Sequence, residues 1–352
     1  MSLKADSILF LLGAGASKEA NIPISTEMIE RVENKLNTDW HIYRALYYCI
    51  KSSIMNRFGM IGDFDSCKIN IETIVNTMDE LIKSIDHPIY PFVGSWIPRL
   101  TELTNNNFSR IKELREKIVA ELYNWMRFEQ NEKIEYFKGF LRFQNEYKRM
   151  LRIFTLNYDT CIEEACADAG INRGFDASTH MWDWRNFENE EKSTDNIILY
   201  KLHGSKDWAM DSNNIVKERK NEIGQDERAL IFGTTYKMQY LDPFLFLINE
   251  FRRRTLDPKT EAIICIGYSF GDEHINGIIK QSLTNNPDKK VIVVSPLGNV
   301  LLKDKVEQIM TCLGINSSIN IKYLPYGAKE FLEEKLTAEL IEGLLPNEEI
   351  PF

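Results

Sequence analysis

Residues 7–12 (SILFLL) form a short apolar run without polar interruption, and it stops at Gly13. Such a run, too short for a helix and closed by glycine, reads as a strand buried on both faces of a parallel sheet. Comparable runs recur at 153–156, 197–202, 229–232, 262–266 and 291–294, with a weaker one at 319–323. Helical spacing lies between several of them. After Asp159, the residues Ile162, Ala165, Cys166 and Ala169 share one face, and Gly170 is positioned to end the helix. After Asp272, a good N-cap, Ile275, Ile278, Ile279 and Leu283 share another. This alternation predicts an α/β fold, a Rossmann-like doubly wound parallel sheet of about six strands with helices on both faces.

From about residue 27 to 150 the period changes and is helical almost throughout. Ile71, Ile74, Val75, Met78, Leu81, Ile82 and Ile85 recur at spacings of three and four, as do Ile111, Leu114, Ile118, Leu122 and Trp125. Asp86-His87-Pro88 and Asn105-Asn106-Asn107 mark turns. The expected organisation is therefore a sheet domain, 1–26 with 151–352, carrying a large helical insertion at 27–150. A last helix is expected over 329–344.

Composition narrows the partners. Lys and Arg total 43 against 52 Asp and Glu, a net charge of -9 over 352 residues. An acidic chain lacks the basic face needed to neutralise phosphates, so direct nucleic-acid binding is disfavoured. Arg252-Arg253-Arg254 is the one local basic cue, and on a helix it reads as a solvated face. No apolar stretch reaches the length of a membrane span. The six cysteines include no CxxC pair, so neither a zinc ribbon nor a disulfide framework is expected and no metal is called for. The first apolar run leads directly into glycines, as a strand does and a secretory segment does not. A cytoplasmic location is the expectation.

Four segments carry candidate chemistry, each just after a predicted strand. Gly13-Ala14-Gly15-Ala16-Ser17, followed by Ile22-Pro23, puts glycines where a strand turns into a helix, a place where backbone N–H groups meet phosphates. It departs from GxGxxG because Lys18 stands at the third glycine position, and a plain tight turn would look the same. Thr155-Leu156-Asn157-Tyr158-Asp159 offers an amide and a carboxylate that can orient a ribose hydroxyl or a water, or an Asp that merely caps the next helix. Lys201-Leu202-His203-Gly204-Ser205 offers a histidine able to act as a base near neutrality. Gly267-Tyr268-Ser269 and Ser295 offer small and hydroxyl groups suited to ribose or phosphate, and equally to ordinary loops.

In their order these segments resemble the sirtuin (silent information regulator) family. Its pattern is a GAG-x-S turn with a following Ile-Pro, then T-x-N-x-D, then His-Gly, then G-x-S. The resemblance implies NAD as the ligand. Gly13, Ala14, Gly15 and Ser17 would lie at the phosphates and nearby ribose, and Asn157 and Asp159 at the nicotinamide and ribose end. His203 would be the catalytic base, and Gly267, Tyr268, Ser269 and Ser295 would hold the adenosine half.

The departures are equally informative. The two CxxC pairs that follow the histidine in protein-deacylating sirtuins are missing, since no cysteine lies between Gly204 and Ala262. The family's Asp-Phe-Arg after Ile-Pro is Ile24-Ser25-Thr26, and its Gln before the Asn is Leu156. Dinucleotide parts remain while acyl-lysine parts are altered. The combination is similar to the bacterial sirtuin-like NAD hydrolases of anti-phage defence, in which the corresponding Asn and His, here Asn157 and His203, are associated with catalysis. That resemblance implies NAD as substrate and a protein partner such as a HerA-type ATPase or an Argonaute-like protein. A toxic hydrolase has to be silent until triggered, so control through a homo-oligomer or a partner is expected, with the helical insertion either the contact surface or only a cover for the sheet and a roof for the pocket. A deacylase or ADP-ribosyl transferase, or a non-catalytic nucleotide-binding assembly module, are the competing readings.

Overall fold

The computed structural model describes the chain apart from residues 1, 2, 5, 61–68, 84–96, 105–108, 129, 189–195, 212–214, 220–222, 225–227, 231–241 and 346–352. The turns expected at 86–88 and 105–107 fall outside the described residues. The chain divides into two compact units, one built from Met1–Ile22, Phe128–Leu230 and Gln239–Phe352, the other including Pro23–Arg127.

The first unit is built on a seven-stranded sheet. Its strands are β1 (Ile8–Leu12), β2 (Leu151–Thr155), β3 (Ile171–Asn172), β4 (Ile197–Lys201), β8 (Ala262–Ile266), β9 (Lys290–Val294) and β10 (Ile321–Leu324). They lie in the order β10-β9-β8-β1-β2-β4-β3, with every pairing parallel. Chain order reverses between β1 and β8, the kind of switch point where ligands bind in open α/β sheets. Three further strands, β5 (Gly204–Met210), β6 (Val216–Glu218) and β7 (Arg228–Leu230), form a separate antiparallel sheet. The apolar run at 229–232, expected in the main sheet, thus begins in this smaller one. β5 follows β4 after only two residues, and a parallel return needs a crossover of a dozen or more.

Alternation within β1 shows why its run is unbroken. Ile8, Phe10 and Leu12 belong to a core cluster on one face that also contains Tyr136, Phe137, Phe140, Phe143 and Phe331. Phe10 meets Phe140 and Phe143 edge-on, with ring centroids 5.2 and 5.8 Å apart. Phe154, the β2 residue between cluster members Ile153 and the strand end, packs instead on Tyr200 of β4 at 4.4 Å and on Phe251 at 5.0 Å. Both faces are therefore dry.

The other unit is helical, with α1 (Ser25–Leu36), α2 (Arg44–Met60), α3 (Ile71–Lys83), α4 (Ile97–Thr104) and α5 (Ser109–Trp125). The predicted stripes are its core, since Ile71, Ile74, Val75, Met78, Ile111, Leu114 and Ile118 are all fully buried. Lys35 of α1 donates to Glu121 of α5 at 2.8 Å, and the Ser25 hydroxyl accepts from the Ile71 N–H at 3.2 Å. The compact helical unit ends at Arg127, earlier than the sequence-based bound of 150. The aromatic run Tyr136, Phe137, Phe140 and Phe143, much of it in α6 (Gly139–Tyr147), is apolar enough to join the sheet core instead.

The remaining helices of the sheet unit are α7 (Cys161–Ala165), α8 (Phe244–Leu256), α9 (Glu273–Asn285) and α10 (Leu302–Leu313). The helix expected after Asp159 is one short turn, continued by a 3-10 turn at Ala167–Ala169, and Gly170 ends it at φ 68°. The expected C-terminal helix is interrupted at Leu336, which is extended and fully buried, before Thr337 caps a new helix over Ala338–Leu344. Among the described residues, no helix is long and apolar enough to cross a membrane.

Phe10→Ala should lower the unfolding free energy by about 3–5 kcal/mol, the usual cost of emptying a packed aromatic site. Urea denaturation reads this directly. A loss under about 1 kcal/mol would contradict the docking of the aromatic run on β1.

Candidate active site

The carboxyl edge of the sheet gathers the four segments, and its centre is backbone meeting backbone. The turn after β1 and the turn after β8 lie side by side. Gly13 N–H donates to Ile266 C=O at 3.0 Å and Gly15 N–H to Gly267 C=O at 2.9 Å. A Cβ on Gly13 would stand 2.7 Å from Gly267 O, and one on Gly15 2.8 Å from Gly267 Cα. Gly267 is at φ +61°, and its Cβ would fall 2.2 Å from Ala16 N. The three glycines thus exist for the approach of two loops. Gly13 is buried against the second loop, while Ala14 is exposed and Gly15 half-buried, so these two form the open side of the turn.

Asn157 is fixed to this turn. Its side-chain amide donates to Gly13 C=O at 3.0 Å and to the Ser17 hydroxyl at 3.1 Å, and its N–H donates to Thr155 Oγ1 at 3.0 Å. Ser17 is buried, and its hydroxyl serves Asn157. Tyr136 secures the same turn from below by donating its hydroxyl to Ala16 C=O at 2.7 Å.

His203 enters from the neighbouring strand. β2 pairs with β4, and beyond that pairing Leu202 N–H donates to Thr155 C=O at 2.9 Å and Lys206 N–H to Tyr158 C=O at 2.8 Å. This rung carries Asn157 and His203 to adjacent strand ends. His203 is buried, with Tyr158 beside it at a ring separation of 6.2 Å. Its Nε2 lies 3.2 Å from Asp272 Oδ2. The other oxygen of Asp272 accepts from the N–H groups of His274 and Ile275 at 3.0 and 3.3 Å, which is the helix cap expected from sequence. The contact with His203 was not legible there, because 68 intervening residues separate the two.

Asp159 has two local duties. Its carboxylate accepts from Cys161 N–H at 3.1 Å, and its carbonyl accepts from the Lys201 ammonium. Lys201 is buried and also pairs with Glu163 at 3.0 Å. Tyr268 is turned inward: its hydroxyl donates to Asn276 Oδ1 at 2.8 Å and to Asp272 C=O at 3.2 Å. Burial pushes that phenol well above its ordinary range. Of the segment 267–269, only Ser269 is exposed, and Ser295 is half-buried at the end of β9. The buried thiols are inert for nucleophilic work. Burial, together with nearby Asp159, pushes Cys161 far up, and burial raises Cys166 to about 12.

An ionic cluster absent from the sequence reading backs the site. Arg173 is held by Glu218 at 2.8 Å, Asp207 at 2.9 Å and Glu163 at 3.5 Å. Burial acts to raise the Asp207 carboxyl, but Arg173 and Lys201 outweigh it and hold it below its usual range. For Glu218 burial wins and the carboxyl is raised. The triple arginine is likewise more than a solvated face, because Arg253 and Arg254 both donate to the buried Glu250 at 2.9 and 2.7 Å.

Residues 151–313 match the SIR2-like domain family. That span holds Asn157, Asp159, His203, Gly267, Tyr268, Ser269 and Ser295, whereas the glycine turn lies before it. Among solved structures, a serine-to-alanine mutant of a Sir2 homologue in complex with ADP-ribose aligns at 13% identity, covering 97% of this chain and 94% of that one, with a TM-score of 0.43. A Sir2 enzyme aligns at 11% identity over 97% and 94%, with a TM-score of 0.40. No curated protein matches the sequence.

Two outcomes follow from the geometry. Gly267→Ala should cost about 2 kcal/mol or more, since it adds a clash to a strained φ, and a melting curve matching wild type would contradict the loop contact. Asp207 has a lowered folded pKa, so its contribution is present above about pH 4, the unfolded value, and is lost as pH falls through the folded one. Arg173→Met removes that contribution and leaves buried carboxylates unpaired, costing about 3–5 kcal/mol at neutral pH. The deficit should shrink toward pH 4 as those carboxylates protonate. Urea titrations at both pH values check this, and an equal deficit at each would refute it.

Proposed function

We propose that this chain, whose residues 151–313 match the SIR2-like domain family, consumes NAD, hydrolysing the nicotinamide–ribose bond to nicotinamide and ADP-ribose. The observation that carries the reading is the juxtaposition of Asn157, anchored to the glycine turn, with His203 on the adjoining strand end. Nicotinamide is a cationic leaving group and needs no strong acid. Its departure leaves an oxocarbenium-like ribose, and the site has to orient that ribose and one attacking water. Asn157 positions the ribose or the water, and His203 takes a proton from a ribose hydroxyl or from the water. The exposed face of Ala14, Gly15, Ser269 and Ser295 receives the pyrophosphate and adenosine portion.

The absence of cysteine between Gly204 and Ala262 favours hydrolysis over deacylation, because nothing in that stretch can build the zinc ribbon of the deacylating relatives. Unregulated NAD hydrolysis would poison its own cell. The proposed biological role is therefore a defence effector that exhausts NAD when triggered, with self-assembly or a protein partner acting through the helical unit.

His203→Ala and Asn157→Ala should each reduce nicotinamide release by about a hundredfold to ten-thousandfold, the range for removing general-base help, with the circular dichroism of the fold unchanged. The assay separates nicotinamide and ADP-ribose by chromatography, with and without the product of a neighbouring gene. Nicotinamide release that requires an acyl-lysine or protein acceptor would instead identify a deacylase or transferase. Binding of NAD without turnover would identify an assembly module.

A further inference from the structure

We propose that Asp272 is the positioning residue of this site: it holds His203 by Nε2 and thereby makes Nδ1 the proton-accepting nitrogen. The inference rests on the reading of His203 as the base. An ionised carboxylate only accepts hydrogen bonds. With Oδ2 standing 3.2 Å from Nε2, a neutral ring is better served by N–H than by a lone pair facing the carboxylate, which places the lone pair on Nδ1. During reaction a proton moves from a ribose hydroxyl or the attacking water to Nδ1, while Nε2–H stays on Asp272. The imidazolium that forms is then neutralised by the carboxylate beside it.

Asp272 is unusually well placed for this. Oδ1 is held by two N–H groups of the first turn of α9, at 3.0 and 3.3 Å. Its carbonyl accepts from Tyr268 at 3.2 Å, and Tyr268 in turn donates to Asn276 at 2.8 Å. Asn276 closes the loop by donating to Phe270 C=O at 2.8 Å. Phe270 is at φ 57°, a left-handed conformation that this bond sustains. Backbone, cap and phenol thus fix the carboxylate, and the one oxygen not used by the helix faces His203. The side chains of His203 and Asp272 are only 9% and 7% exposed, so water competes little for the bond.

Asparagine and serine both cap helices about as well as aspartate, which separates the two duties of the residue. Asp272→Asn keeps the cap through its carbonyl oxygen and turns an NH2 donor toward His203. This should invert the neutral ring to the Nδ1–H form. Asp272→Ser keeps the cap and does not reach the ring. Both variants should melt with wild type, and kcat for nicotinamide release should fall about a hundredfold or more in Asp272→Asn with KM for NAD little changed, because Asp272 is buried and acts through His203. A second readout needs no activity: two-bond 1H–15N spectra of the full chain labelled at its five histidines. His203, assigned with His203→Ala, should be Nε2–H in wild type and Nδ1–H in Asp272→Asn. If wild type releases no nicotinamide under any condition, the hydrolase reading falls and the spectra alone decide the role of Asp272. An unchanged ring form in Asp272→Asn overturns the proposal, as does wild-type kcat in both variants.

Discussion

The structure turns on a backbone contact that only glycine permits. Gly267 sits at φ +61° with its missing Cβ directed at Ala16 N, 2.2 Å away. No side chain fits there, and an L residue would also be strained in that conformation. The contact joins the turns after β1 and β8 at the point where strand order reverses. From the first turn a short path of hydrogen bonds leads to Asn157, and from the second the loop through Tyr268 leads to Asp272 and His203. The two candidate catalytic side chains are thereby referred to one rigid point.

That arrangement changes what the glycines are for. A GAG turn after a strand invites the reading that its glycines make room for a pyrophosphate. Gly13 and Gly15 instead make room for Gly267 and Tyr268. A ligand would meet Ala14, the open side of Gly15, and Ser269, while the glycines set the level of the floor. The same reassignment applies to Tyr268, whose hydroxyl braces the loop from inside.

What was legible in the sequence was what depends on near neighbours. The unbroken apolar runs, the left-handed stop at Gly170 and the cap at Asp272 are local patterns with local causes, and strand ends follow from them. What was not legible depends on pairs far apart in the chain. Arg173 reads as a loop arginine until β5 and β6 bring Asp207 and Glu218 to it. The aromatic run at 136–143 has helical spacing whichever core it serves, so period alone assigned it to the preceding helices. The run at 229–232 has strand character, but period cannot distinguish a central parallel strand from a partner in a small antiparallel sheet.

Asp272 shows how one residue can be read correctly and incompletely. A helix N-terminus carries partial positive charge, and His203 lies beside the one that opens α9. The carboxylate of Asp272 stands between them. One oxygen satisfies the first turn of α9 and the other faces the imidazole, so the histidine meets a negative group where it would otherwise meet the end of a dipole. The cap is thus a structural necessity that also decides the environment of His203. An acidic cap serves both ends here, and a neutral cap of equal strength would satisfy only the first.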